Sequence, residues 1–366
     1  MTNRLVDLHS QQGQSPWLDN LQRSFITDGS LREIVASGIR GLTSNPTIFQ
    51  KAIQGSSDYD DQFRSETSRG LSPEEAYWEL VIADIHGALD VFEPLYRESN
   101  GGDGFVSVEV DPRLAHDGAG TLRDARALDE RVKRPNVMIK IPATREGLPA
   151  IRAMIAEGRN VNVTLIFSLE RYAEVMEAYV AGLEDRAAAG HSLTGIASVA
   201  SFFISRVDSE IDKRLEAHGT EAALALRGTA AVNQARLAYD SFRRVFAGAR
   251  WERLAALGAS VQRPLWASTS TKNPAYPDTL YVDQLIGPDT VNTLPDATVQ
   301  AFADHGTVAR TIDTGVELAR EQWTALADNG VDVQDVAAQL EREGVASFIK
   351  SFDDLMSALQ EKAKVL

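Results

Sequence analysis

The chain has 366 residues, with 37 basic side chains against 52 acidic ones, a formal net charge of −15 and no cysteine. That length suits one large domain or two ordinary ones, and the negative balance argues against a surface built to collect nucleic-acid phosphates or anionic lipid. Without cysteine there is no disulfide framework, thiolate metal site or thiol nucleophile, and the six histidines are too scattered to suggest zinc. The opening MTNRLVDLHSQQGQS has neither a long apolar core nor a small-residue cleavage site, and no apolar stretch approaches the roughly 18 residues of a membrane span. A cytoplasmic protein with no membrane or nucleic-acid partner is expected.

Short β-like runs alternate with stretches of helical period. The runs are SPWLD (15 to 19), IRGLTS (39 to 44), FVSVEV (105 to 110), VMIKIPA (137 to 143), NVTLIF (162 to 167), SVASFFI (198 to 204), PLWAS (264 to 268) and TVNTL (290 to 294). Just before the second run, and again between the second and third, lie two capping patterns: Ser30 with Glu33, and Ser72-Pro73-Glu74-Glu75 ahead of a helix predicted over 73–96. Ser168 opens another helix that ends near Gly190, and Glu221 to Gly248 is expected to hold one long helix. From Asp313 to Leu366 the helical period continues, which predicts two or three helices on the outside of the fold or across one end. No repeat or linker marks a boundary, so one domain over 1–366 is expected, with 313–366 as a C-terminal helical extension. Eight strand–helix units fit an α/β fold of the closed (β/α)8 kind, a single TIM barrel of about 250 residues with additional C-terminal helices. A doubly wound sheet, with about six strands, fits less well.

In a barrel strand, alternate side chains face the axis. In FVSVEV the valines form one face while Ser107 and Glu109 form the other; in VMIK, Val137 and Ile139 alternate with Met138 and Lys140; in NVTLIF, Val163, Leu165 and Phe167 alternate with Asn162, Thr164 and Ile166. If Trp17 and Asp19, Ser201 and Phe203, and Trp266 and Ser268 also point inward, a carboxylate, an amine and several hydroxyls meet at the C-terminal mouth, where barrel enzymes do chemistry. Lys140, flanked by apolar residues, is either a strand-end lysine reaching for water or a nucleophilic amine, and the second role requires the neutral form that only about one lysine in 2,500 adopts at pH 7 with an unshifted pKa. Glu109 reads equally as its ion-pair partner or as a proton carrier, Asp19 first as a helix cap, Asn45 as a turn residue and Thr164 as a β-former. Arg206 comes after the sixth run at a helix start, where an anion or an ordinary surface pair would both fit, and Lys272 sits in a donor-rich Ser-Thr-Ser-Thr-Lys-Asn-Pro loop where a barrel can hold phosphate. The signatures of P-loops, dinucleotide folds, nucleophile elbows and zinc hydrolases are missing from the chain.

Taken together, GLTSNPTIF (41 to 49), VSVEVDPRLAHD (106 to 117), VMIKIPAT (137 to 144), VNVTLIFS (161 to 168) and SFFISRVD (201 to 208) resemble transaldolases, Schiff-base barrel enzymes of the pentose phosphate pathway. The length and the loop WASTSTKNPAYPDTLYVDQLIG are similar to the longer bacterial subfamily, related to the transaldolase half of fusions with glucose-6-phosphate isomerase. The resemblance implies Lys140 as the Schiff-base lysine, Glu109 as the glutamate beside it, Thr164 as a holder of the catalytic water and Asp19 as the general acid/base. It further implies Asn45 against the dihydroxyacetone unit, with Ser201, Arg206 and Ser268 on the substrate and its phosphate. Where many transaldolases carry a second phosphate-binding arginine, this chain has Thr269, Ser270, Thr271 and Lys272, and Lys272 is assigned that part. Phe202 stands where a proline is common. Sugar phosphates are the implied substrates, no metal or organic cofactor is implied, and monomer and homodimer both stay open. An aldolase releasing free dihydroxyacetone, a sugar-phosphate isomerase and a non-catalytic sugar-phosphate binder are the competing readings.

Overall fold

A computed structural model describes residues 3–364. Eight parallel strands close into a barrel in sequence order: β1 (Gln14–Leu18), β2 (Gly41–Thr43), β3 (Phe105–Glu109), β4 (Val137–Pro142), β5 (Val161–Ile166), β6 (Ser198–Phe203), β7 (Gln262–Ala267) and β8 (Thr290–Leu294). Each lies within a few residues of an apolar run in the sequence, because strands covered by helices outside and by side chains inside must be apolar on nearly every residue. Among the described residues no helix is long and apolar enough to cross a membrane.

The register sorts the side chains into layers. Gly41 pairs with Phe105, Thr43 with Ser107, Ser107 with Met138 and Glu109 with Lys140, so these residues share the axial face. Trp17 fills the floor of the barrel, and it fits only because β2 offers Gly41 there: a Cβ at Gly41 would lie 2.5 Å from the indole. Beneath it, Arg40 and Arg263 converge on the buried Asp103 at 2.6 and 3.1 Å. Burial pushes the Asp103 carboxyl up, but the two guanidiniums and the Ser15 hydroxyl outweigh it and hold the group below its usual range. This end is a plug of paired charges, whereas the C-terminal end is left open.

Four expectations need correction. Trp266 pairs with Phe202 while its neighbour Leu265 pairs with Ser201, so Trp266 faces outward and donates its indole N–H to the Leu285 carbonyl at 3.0 Å. In β5 the register slips between Val163 and Ile166 around Leu165, whose φ is +60°, so Ile166 pairs with the outward-facing Phe202 and the strict alternation ends at Thr164. Ser30 caps nothing. The helix Ser30–Ala36 starts from Gly29, and the Ser30 hydroxyl is buried with no partner among the described residues. The long helix expected over 221–248 is two helices, Glu221–Leu224 and Ala230–Val245, parted at Gly228, where φ is +69° and the amide donates to Asp212 at 2.9 Å. The Ser72–Glu75 capping box and the Ser168 cap are both formed.

Two helices make up most of the C-terminal segment. Val316–Asp328 lies against Ala230–Val245, with Asn233 donating to Gln322 at 2.8 Å. Val333–Ala363 instead crosses the C-terminal mouth, tied to the helix Pro46–Gly55 by the Thr47–Ser351 hydroxyl pair at 2.8 Å and to Asp60 by Lys362.

Candidate active site

At that mouth lies a cavity of about 370 Å³. Its wall includes Asp19, Asn45, Lys140, Thr164, Ser201, Arg206, Ser268 and Lys272, so eight of the nine residues singled out in the sequence meet there. The ninth, Glu109, stands directly behind Lys140.

The Lys140–Glu109 pair arises from strand register. Adjacent partners on β3 and β4 project to the same side, and the ammonium nitrogen reaches Glu109 Oε2 at 2.9 Å and the Ser44 carbonyl at 3.3 Å. Both side chains are almost closed off from solvent, at 5% and 4% exposed. Burial pushes the Glu109 carboxyl above its usual range, with Lys140 opposing. One strand further round, the Thr164 hydroxyl is buried, faces the same cavity and has no hydrogen-bond partner among the described residues. A buried hydroxyl left unpaired is costly unless a water or substrate atom completes it.

Asp19 comes directly after β1 on the opposite wall. The nearby helix Arg23–Thr27 begins at Gln22 with no side-chain cap, so Asp19 is free of the capping duty that its sequence position suggested. It accepts from Thr43 at 2.8 Å, and Thr43 in turn pairs with Thr293 at 2.6 Å. Burial drives its pKa upward, opposed by Lys140, Thr43 and Arg206. Asn45 caps the helix Pro46–Gly55 by accepting from the Ile48 amide at 3.0 Å. That bond fixes the orientation of the side-chain amide, and its NH2 group, which has no partner among the described residues, remains available to the cavity it lines.

The far side of the cavity is cationic. Arg206, at the start of the helix Ser205–His218, rests 5.1 Å over the Phe203 ring and makes no ion pair or side-chain hydrogen bond among the described residues. Ser268 has a left-handed backbone, φ +56°, and its hydroxyl meets that of Ser205 at 2.9 Å, which joins the end of β7 to the start of that helix. Of the four residues after it, Ser270 and Lys272 reach the cavity, bonded to each other at 2.6 Å, whereas Thr269 is turned away to the Thr293 carbonyl and Thr271 to that of Pro277. Lys51, for which the sequence held no local signal, adds a third cation to the wall. Burial and the charges of Arg206 and Lys51 lower the Lys272 pKa. Three cations on one wall, none in an ion pair among the described residues, describe a site completed by an anion.

Thr43, Thr293, Ser347 and Phe348 also line the wall without having been expected there. Thr43 had a signal: it stands two residues before Asn45, on the same face of the chain. Ser347 and Phe348 had none, since only the fold brings the C-terminal helix over the mouth.

A buried amine beside a carboxyl, a second carboxyl across the cavity and a cationic far wall are the equipment of a barrel enzyme that condenses an amine with a phosphorylated carbonyl compound. Residues 16–359 match the family model described as Transaldolase/Fructose-6-phosphate aldolase, and the chain belongs to that family. A protein named Transaldolase from Parafrankia sp. (strain EAN1pec) is 52% identical over 364 residues, 99% of this chain and 98% of that one. Transaldolase 1 of Streptomyces coelicolor is 53% identical over 358 residues, 97% and 93% of the two chains, and the Transaldolase of Mycobacterium leprae is 49% identical over 356, 96% and 95%.

Proposed function

We propose that Lys140 is the Schiff-base lysine of a transaldolase that moves a dihydroxyacetone unit from sedoheptulose 7-phosphate to glyceraldehyde 3-phosphate, giving erythrose 4-phosphate and fructose 6-phosphate. The observation that carries the reading is the buried Lys140–Glu109 pair, 2.9 Å apart, at the wall of a cavity whose other end holds the unpaired Arg206.

The Lys140 ammonium donates to Glu109 at 2.9 Å, so the carboxylate stands where it can take the ammonium proton. Transfer along that contact leaves a neutral amine, which attacks C2 of the ketose. Glu109 and a water held by Thr164 then carry the protons as the carbinolamine loses water to an iminium, which serves as the electron sink. Asp19 takes the C4 hydroxyl proton, the C3–C4 bond breaks, and an aldose phosphate leaves an enamine on Lys140, steadied by the Asn45 amide and the Ser201 hydroxyl. A second aldose phosphate accepts the enamine carbon, Asp19 returns the proton to the new hydroxyl, and water releases the product ketose from the lysine. Arg206, Lys272 and Ser268 hold the phosphate, whose binding energy is remote from the reacting carbons and goes into positioning. We place the reaction in the cytoplasm, in keeping with an acidic, cysteine-free chain, and treat 1–366 as one working domain with 313–366 as its helical extension, since strands drawn from 14 to 294 and the C-terminal helix build one cavity.

Borohydride reduction in the presence of fructose 6-phosphate, with peptide mapping of the product, tests the assignment: the adduct is expected on the peptide containing Lys140, and an adduct on another lysine, or none, rejects it. For the cationic wall, Arg206→Ala is expected to raise KM for phosphorylated acceptors by about 10- to 100-fold, the worth of a charge-assisted hydrogen bond. It should change the use of unphosphorylated aldehydes far less. Steady-state kinetics with matched acceptor pairs measures both.

A further inference from the structure

The enamine on Lys140 has two fates. Attack on an aldehyde completes transfer. Alternatively a proton from water adds to its carbon, and a second water hydrolyses the resulting iminium, which frees dihydroxyacetone and restores the amine. Which fate prevails depends on how well water is kept from the carbons next to the nitrogen. On the strand side, Nζ is closed in by Glu109 and the Ser44 carbonyl. On the open side a ring covers it: the centroid of Phe348 lies 5.5 Å from Nζ, and Phe348 is only 4% exposed although it lines the cavity.

The C-terminal helix is built to hold that ring in place. Gly344, Phe348 and Phe352 succeed one another at one-turn intervals on one face. At Gly344 the backbone comes so close to the bulge in β5 that an added Cβ would lie 2.9 Å from Leu165 Cδ2. One turn beyond Phe348, Phe352 meets Tyr77 edge-on at 5.4 Å, and Ser351 bonds Thr47. The ring is therefore fixed from both sides, over the atom that carries the intermediate.

We propose that Phe348 is a specificity-determining residue that sets the partition of the enamine between transfer and hydrolysis, by shielding it from water until an aldehyde arrives. The inference rests on the Lys140 assignment above. A ring that merely glued the helix to the barrel would change stability and overall rate, but not the ratio of the two products.

The test measures free dihydroxyacetone released from fructose 6-phosphate without acceptor, and transfer to an added aldose phosphate, for the parent protein and for Phe348→Ala, Phe348→Leu and Phe352→Leu. Phe348→Ala is expected to raise the release-to-transfer ratio by roughly tenfold, Phe348→Leu by less, with the borohydride adduct still on Lys140. Phe352→Leu keeps the Phe348 ring and loosens one of its supports, so it is expected to lower Tm and to raise the ratio less than Phe348→Ala does. A ratio unmoved in Phe348→Ala, or moved as far by Phe352→Leu, overturns the proposal. Should Phe348→Ala fail to fold, the Phe348→Leu ratio decides: a rise supports the proposal and an unchanged value overturns it. No adduct on Lys140 in the parent protein sinks the underlying assignment, whereas an adduct with an unmoved ratio sinks the role of Phe348 alone.

Discussion

Replacing Lys140 by methionine is expected to abolish the trapped adduct and to lower kcat/KM by about 10⁴-fold or more, because among the described residues no other lysine of the cavity wall, Lys51 and Lys272 included, bonds to Glu109. The same change should reshape the pH dependence of stability. Burial already raises the Glu109 pKa against the pull of Lys140; with that cation gone the opposition disappears and the folded-state value climbs further. A carboxyl whose folded pKa exceeds its unfolded one contributes stability that is complete below the unfolded value and is lost as pH rises through the folded value. Lys140→Met is therefore expected to be more stable at pH 5 than at pH 8, with a slope of at most about 1.4 kcal/mol per pH unit between the unfolded and folded values, and to fall short of the parent by about 3 kcal/mol or more at pH 8, the usual cost of orphaning one partner of a buried pair. Adding Glu109→Gln should remove the slope and recover much of the loss, since the second charge is then gone as well. Denaturant unfolding of the two variants at both pH values is the measurement. A pH-independent single variant would mean that Glu109 does not need Lys140 as its counter-charge.

Barrel strands were legible in the sequence because burial on both faces leaves them apolar, and inward polar residues stood out wherever the strand kept a period of two, as in β3 and β4. Legibility ended where the backbone departs from that period for reasons held elsewhere in the chain. The slip at Leu165 faces Gly344 of the terminal helix, and no local feature of NVTLIF announces it. Trp266 is apolar enough for either face, so composition could not orient it, whereas its pairing with Phe202 does. Ser30 and Glu33 have the right spacing for a capping box, yet Gly29, with φ at +86°, takes the cap position instead. Among site residues, those at strand ends could be found one by one because the ends of barrel strands converge at one mouth. Lys51, Ser347 and Phe348 ride on helices, and their place in the wall depends on how those helices dock, which is a property of packing rather than of any short motif.

Asp19→Asn separates chemistry from capture. Asparagine can still accept from Thr43, so the geometry of the far wall is kept, but it cannot take the C4 hydroxyl proton. The expected result is a fall in kcat of about 10² to 10⁴-fold, with the adduct from fructose 6-phosphate still trapped on Lys140, because the steps that form the iminium do not pass through Asp19. Stability should move the other way. Burial raises the Asp19 pKa above its unfolded value, so the ionised group weakens the fold at pH 7 and the neutral amide removes that burden. Tm is expected to rise, by roughly 1 °C per kcal/mol at this chain length, with the gain shrinking as pH falls toward the unfolded aspartate value, where the parent protein is protonated too. If Asp19 is kept for catalysis at the expense of the fold, the variant is a slower but more stable enzyme. Loss of the trapped adduct together with turnover would instead place Asp19 in the condensation step, on the same side of the reaction as Glu109.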